Sequence, residues 1–174
     1  RGKIMALATN APVKDTGFRR ALTAAERAGV EKLARKEFKV FSVNPKVLRN
    51  NNLSAVDIDG DKRPVFIGSF YVADTPKSRA LLFLVVSRTA RGYEVAFSNV
   101  GITHENQVMS SDIKDLDKGV GNELLLDVYD VDNDGVAEIF TYIQAFEGSN
   151  FRVHTRKNGK WEIIYENYNY HCGY

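Results

Sequence analysis

One cysteine, Cys172, stands among the 174 residues, so the chain can form no internal disulfide. The three histidines, His104, His154 and His171, have no metal-ligand spacing with one another. His171 and Cys172 adjoin at the end of the chain, where a Cys–His nucleophile would lack a rigid frame. No apolar run approaches the roughly 18 residues that cross a bilayer as a helix. There is no Gly-rich phosphate loop and no nucleophile elbow. No secretory leader is visible, and the chain begins at Arg1, which suggests a processed or trimmed product. Excess charge of one sign is also missing. Twenty-four Lys and Arg oppose 22 Asp and Glu, so the overall balance of +2 argues neither for nor against an anionic partner.

The charge is unevenly spread. Residues 1–52 carry twelve basic and four acidic side chains, and the remainder carries twelve and eighteen. A basic first segment could dock on the acidic rest of the chain or on something anionic; a solvated helix face is the simpler account. The length fits one domain, or two small units sharing a core. We read 1–52 as a lead-in plus a helix packing on a sheet, and 53–174 as a β domain. Residues 1–21 show no period. Thr23 and Glu26 form a capping box, and an amphipathic helix is expected over 24–37 with Ala25, Val30, Leu33 and Ala34 as its apolar stripe. Gly29 weakens it by about 1 kcal/mol relative to Ala. A strand is expected over 38–43, ended by Asn44 and Pro45, and Asn50, Asn51 and Asn52 read as a turn.

From Leu53 the alternation is that of strands. One set is expected at 54–58, 65–73, 80–88 and 93–99. A polar connector over 102–117 follows, with a short strand at 107–110. A second set is expected at 123–129, 138–146, 151–155 and 161–166. The two sets form a repeat. Asp57-Ile58-Asp59-Gly60-Asp61 lies over Asp130-Val131-Asp132-Asn133-Asp134 at a spacing of 73, and 93–99 lies over 161–167 at 68. The fold expected is therefore mainly β: two four-stranded antiparallel meanders, about 53–100 and 123–167, with one N-terminal helix.

The richest stretch runs from Asp130 to Glu138. Calcium is a hard cation that takes six to eight oxygens in a flexible shell. Asp130, Asp132 and Asp134 place carboxylates at alternate positions. Gly135 supplies the sharp turn, Val136 a backbone carbonyl and Glu138 a ninth-position acid. A strand-like run follows, so this is a calcium loop leading into a strand and not the second helix of an EF-hand. An acidic turn without an ion is the simpler alternative. Mg²⁺ fits less well, because it demands tight octahedral geometry.

That loop, with Glu138-Ile139-Phe140 after it and the closing Lys157-Asn158-Gly159-Lys160-Trp161-Glu162, resembles the FG-GAP repeats of integrin alpha-chain type. The resemblance implies propeller-blade meanders, calcium held by Asp130, Asp132, Asp134, Val136 and Glu138, and an extracellular adhesion or binding role. The first copy departs from the pattern: Lys62 replaces the Gly and Val65 the ninth-position acid. Its ammonium is expected to neutralise Asp57, Asp59 and Asp61 and leave that loop metal-free or weak. Two copies cannot close a propeller, so a face-to-face sandwich or an assembly is expected.

The function expected is a non-catalytic, calcium-stabilised binding module, secreted or periplasmic. Its ligand would be a protein or carbohydrate; no nucleic acid is expected. The rivals are a hydrolase using the ion as Lewis acid and an inhibitor or assembly subunit. His104 and Glu105 could form an acid–base pair or an exposed polar loop. His154 is expected to be structural. Trp161, Tyr165, Tyr168, Tyr170 and Tyr174 could stack on sugars or anchor a partner, or simply complete an edge strand and tail.

Overall fold

A computed structural model describes residues 18–108 and 112–170, the side chain of Asp74 aside. The elements run β1 (Arg19–Arg20), α1 (Ala24–Val40), β2 (Arg49–Val56), β3 (Val65–Thr75), β4 (Ser78–Thr89), β5 (Gly92–His104), β6 (Glu123–Tyr129), β7 (Glu138–Gln144), β8 (Gly148–Lys157) and β9 (Lys160–Tyr170). Two antiparallel sheets result, in the orders β1-β2-β3-β4-β5 and β6-β7-β8-β9. The mainly β fold with one helix is the one expected. The first sheet gains a fifth strand, the two-residue β1, paired with Val56 and Ala55. No helix among the described residues is long and apolar enough to cross a membrane.

The helix obeys its capping box. Thr23 Oγ1 accepts from the Glu26 N–H at 3.3 Å, and Glu26 Oε2 accepts from the Thr23 N–H at 2.8 Å. It extends to Val40, past the expected boundary, because Phe38 falls on the stripe of Val30 and Ala34 and is fully buried with them. That period of four overrides the strand preference of 38–43. Ala25, expected on the stripe, is exposed, and Glu26 takes the buried place. The Asn triplet, expected as a turn, lies in β2, with Asn51 skipped by a register shift between Asn50 and Asn52. The connector holds two short 3-10 turns, Glu105–Gln107 and Ile113–Lys118; of the strand expected at 107–110, Gln107 and Val108 are not in a strand and 109–110 lie outside the described residues. Most of the lead-in, His171, Cys172 and Tyr174 also lie outside the described residues.

Three layers stack: α1, the first sheet, the second sheet. Phe66, Phe70, Leu82, Leu84 and Val86 meet Val30, Ala34 and Phe38 of the helix. The alternate residues Val65, Ile67, Phe83 and Val85 meet Leu125, Ala137, Ile139 and Trp161 of the second sheet. The first sheet is thus buried on both faces, which is why 80–86 is an unbroken apolar run.

The repeat is visible in the pairing. The register slips between Val85 and Val86 against Phe97 and Val95, and again between Val153 and His154 against Tyr165 and Ile163, 68 residues on at every position. Both acidic loops are closed by matched pairs, Val56 with Val65 and Tyr129 with Glu138, 73 residues apart. The two sheets therefore stack in the same sense. Ile67, Phe83, Val85 and Phe97 face the second sheet; their counterparts Phe140, Phe151, Val153 and Tyr165 face away from the first. Phe140, Phe151 and Val153 are half-buried there, and Tyr165 is 51% exposed.

Candidate metal centre

The Asp130 loop owes its shape to its own side chains. Asp130 Oδ2 accepts from the Gly135 N–H at 3.1 Å, Asp132 Oδ1 from Asp134 N–H at 3.2 Å, and Asp134 Oδ1 from Val136 N–H at 2.8 Å. Such bonds curl the chain without a ladder. Asn133 and Gly135 adopt positive φ of 61° and 92°, conformations that Asn and Gly tolerate.

Asp130, Asp132 and Glu138 bring one carboxylate oxygen each to within 4.8 Å of one another. These side chains could hold a metal ion. Asp130 and Glu138 are buried and Asp132 is exposed, so the cluster opens to solvent on one side. Asp130 Oδ1 is shielded and has no hydrogen-bond partner. Leaving such an acceptor bare costs about 1–3 kcal/mol; a cation would satisfy it. Of the other two expected ligands, Asp134 is absent from the cluster and serves the turn. Val136 is half-buried, its side chain against the inter-sheet core.

Glu138 ties the loop to the body. Its Oε2 accepts from the Val131 N–H at 3.0 Å and its Oε1 from the Thr155 hydroxyl at 3.0 Å. Burial pushes its carboxyl above the usual range, and the nearby Asp132 charge adds to this, against the lowering by those two donors. A bound divalent cation would reverse that balance.

The first acidic loop abuts this one, since the Ala137 N–H donates to Ile58 O at 2.7 Å. It has the same frame. Asp57 Oδ2 accepts from the Lys62 N–H at 3.2 Å and Asp61 Oδ1 from the Arg63 N–H at 2.6 Å. Gly60 and Lys62 take positive φ of 71° and 65° where the second loop has Asn133 and Gly135. The expected neutralisation by the Lys62 ammonium is replaced by Arg156, whose Nη2 lies 2.9 Å from Asp59 Oδ2; the Lys62 residue is exposed.

Sequence reasoning missed a polar network between the sheets. Glu123, 6% exposed, holds His154 Nε2 at 2.6 Å, Arg152 Nη1 at 2.7 Å and the Thr141 hydroxyl at 2.8 Å. Arg152 Nε also reaches Glu166 at 2.6 Å. Burial alone would raise the Glu123 carboxyl. The His154 hydrogen bond, the His154 and Arg152 charges and Thr141 outweigh it and hold the group below the usual range. His154, fully buried against Phe83 and Phe97, has the structural place expected of it. Next to this network lies a cleft of about 300 Å³, lined by Asn99, Asn122, Glu123, Asn150, Arg152 and Tyr168 among others. His104 is exposed, and Glu105 pairs with Lys77 at 3.7 Å rather than with His104.

No protein-family model matches the chain, and neither a curated protein nor a solved structure shows significant similarity to it.

Proposed function

We propose that this chain is a non-catalytic binding module stabilised by calcium at the Asp130 loop and working outside the cytoplasm, with FG-GAP-like repeats as its building unit. The observation that carries the reading is the buried, partnerless Oδ1 of Asp130, whose carboxylate clusters with those of Asp132 and Glu138. The donor set is oxygen alone, which suits a hard cation. Extracellular calcium is abundant enough to fill even a millimolar site. Bound there, the ion would fix the β6–β7 turn, and through Glu138–Thr155 and Ala137–Ile58 it would brace β8 and the first acidic loop.

The ligand side of the module is the inter-sheet cleft with Tyr168 at its lining. Asn and Arg side chains beside an exposed tyrosine ring suit a carbohydrate or a polar protein segment. A second reading, a metal-assisted hydrolase, is favoured by the exposure of Asp132, which leaves one side of the cluster open to a substrate.

Thermal unfolding tests the first reading. Native chain and Asp132→Ala are melted with chelator and with millimolar calcium. At a hundredfold excess over its dissociation constant the ion adds about 2.7 kcal/mol, a rise of roughly 5–10 °C for a chain of this size. The native midpoint should rise by that amount and the variant's by clearly less. If calcium moves neither, the loop is only a turn. Metal-dependent turnover of model esters or phosphoesters, lost in Asp132→Ala with the fold intact, would instead establish the hydrolase.

A further inference from the structure

The first acidic loop has its own set of bare oxygens. Asp57, Asp59 and Asp61 each offer a carboxylate oxygen within 4.8 Å of the others. Asp57 is 2% exposed. Its Oδ2 is occupied by the Lys62 N–H, while its Oδ1 is shielded from solvent and has no hydrogen-bond partner. Asp59 repeats the arrangement: Oδ2 is taken by Arg156, and Oδ1 is shielded and partnerless. The protein supplies donors to one oxygen of each carboxylate and none to the other. Two shielded anionic oxygens, two residues apart on one curled loop, are costly unless a cation lies between them.

We infer that this loop is a second divalent-cation site, of the calcium type, with Asp57 Oδ1 and Asp59 Oδ1 as its inner ligands. The sequence argues against it, because Lys62 stands where a glycine is wanted. The structure removes that objection. Lys62 adopts the left-handed conformation that glycine would, contributes only its N–H to Asp57, and is itself exposed. Arg156 is not the occupant either. It binds Oδ2 of Asp59, not the bare Oδ1, and makes no hydrogen bond or ion pair with Asp57. It does lower the local negative charge, and Val65 supplies no ninth-position carboxylate, so this site is the weaker of the two. An all-oxygen donor set disfavours zinc and other metals that prefer nitrogen or sulfur.

The inference does not depend on the Asp130 reading, and one experiment separates them. Calcium stoichiometry is measured by equilibrium dialysis on the native chain, Asp132→Ala, Asp57→Asn, Asp59→Asn and Arg156→Gln, with circular dichroism confirming the fold of each. The expected result is two ions on the native chain and one on Asp132→Ala. One ion is also expected on whichever of Asp57→Asn and Asp59→Asn is folded. Arg156→Gln should tighten the weaker site about fivefold, the effect of removing one nearby like charge at a solvated surface. One ion on the native chain, abolished by Asp132→Ala, overturns the second site and leaves the first. One ion retained in Asp132→Ala but lost in the Asp57 or Asp59 variant supports the second site and overturns the first. No bound calcium on the native chain overturns both.

Discussion

Glu138 is the residue on which the metal reading can be tried most directly. Its carboxyl lies above the ordinary range in the metal-free chain. The folded state then holds this proton more tightly than the unfolded one, so ionised Glu138 costs stability at neutral pH, and the cost is relieved as pH falls through the raised value. Glu138→Gln removes the buried charge. Its amide can accept from Val131, and the Thr155 hydroxyl can turn to accept in its place. The variant's melting midpoint in chelator should rise above the native one, and its response to calcium should shrink. Gly29 makes a different residue-scale case. On propensity alone, alanine there should help the helix by about 1 kcal/mol. A Cβ at this position, however, would lie 2.5 Å from Tyr93 Cδ2. That ring is held edge-on by Phe66 at 5.4 Å. Gly29→Ala should therefore destabilise by about 1–2 kcal/mol net in a urea titration, since the ring cannot withdraw freely. The clustering of Asp130, Asp132 and Glu138 was legible in the sequence because their geometry is local, whereas the turn role of Asp134 was not. Arg156 was not, because it reaches Asp59 from 97 residues away.

Among the elements, α1 shows how a local signal and a distant one combine. The capping box was plain in the sequence. Its partner Arg20 was not: both guanidinium nitrogens, Nη1 and Nη2, sit 2.7 Å from the two oxygens of Glu26. The Arg20 hydrogen bonds, against the opposing effect of burial and with help from Thr23, hold the Glu26 carboxyl at about 2. A lowered carboxylate contributes stability that is present above its unfolded value and lost as pH falls through the folded one. Glu26→Gln should cost about 1–2 kcal/mol at pH 6. The gap between the variant and native melting midpoints should close as pH drops from about 4.5 towards 2. The end of the helix and the Asn triplet were misjudged for a common reason. Strand and turn preferences are weak, and Phe38 in the core and β3 alongside β2 override them.

For the whole molecule, the two sheets and their helix were legible because alternation and the 73- and 68-residue spacings belong to the sequence itself. The buried Glu123–His154–Arg152 network was not, since nothing in the sequence says which polar residues meet across the gap between sheets. The contact between the two acidic loops is equally nonlocal, and it makes a prediction at this scale. The Ala137 amide donates across the loops to Ile58. If ions brace that end of the stack, chelation should speed hydrogen exchange at Ala137 by ten- to a hundredfold and leave the Phe66 and Leu84 amides, on the helix side of the first sheet, nearly unchanged. The same-sense stacking also gives the molecule a direction. Each sheet receives its neighbour on one face and offers the opposite face onward, and α1 already occupies the receiving face of the first sheet. A second copy cannot enter there to lengthen the column. Among the described residues only the outward face bearing Phe140, Phe151 and Tyr165 is open, and two such faces can meet only as a closed pair. As far as the described residues go, one helix at one end bars unlimited fibre growth through the sheet faces.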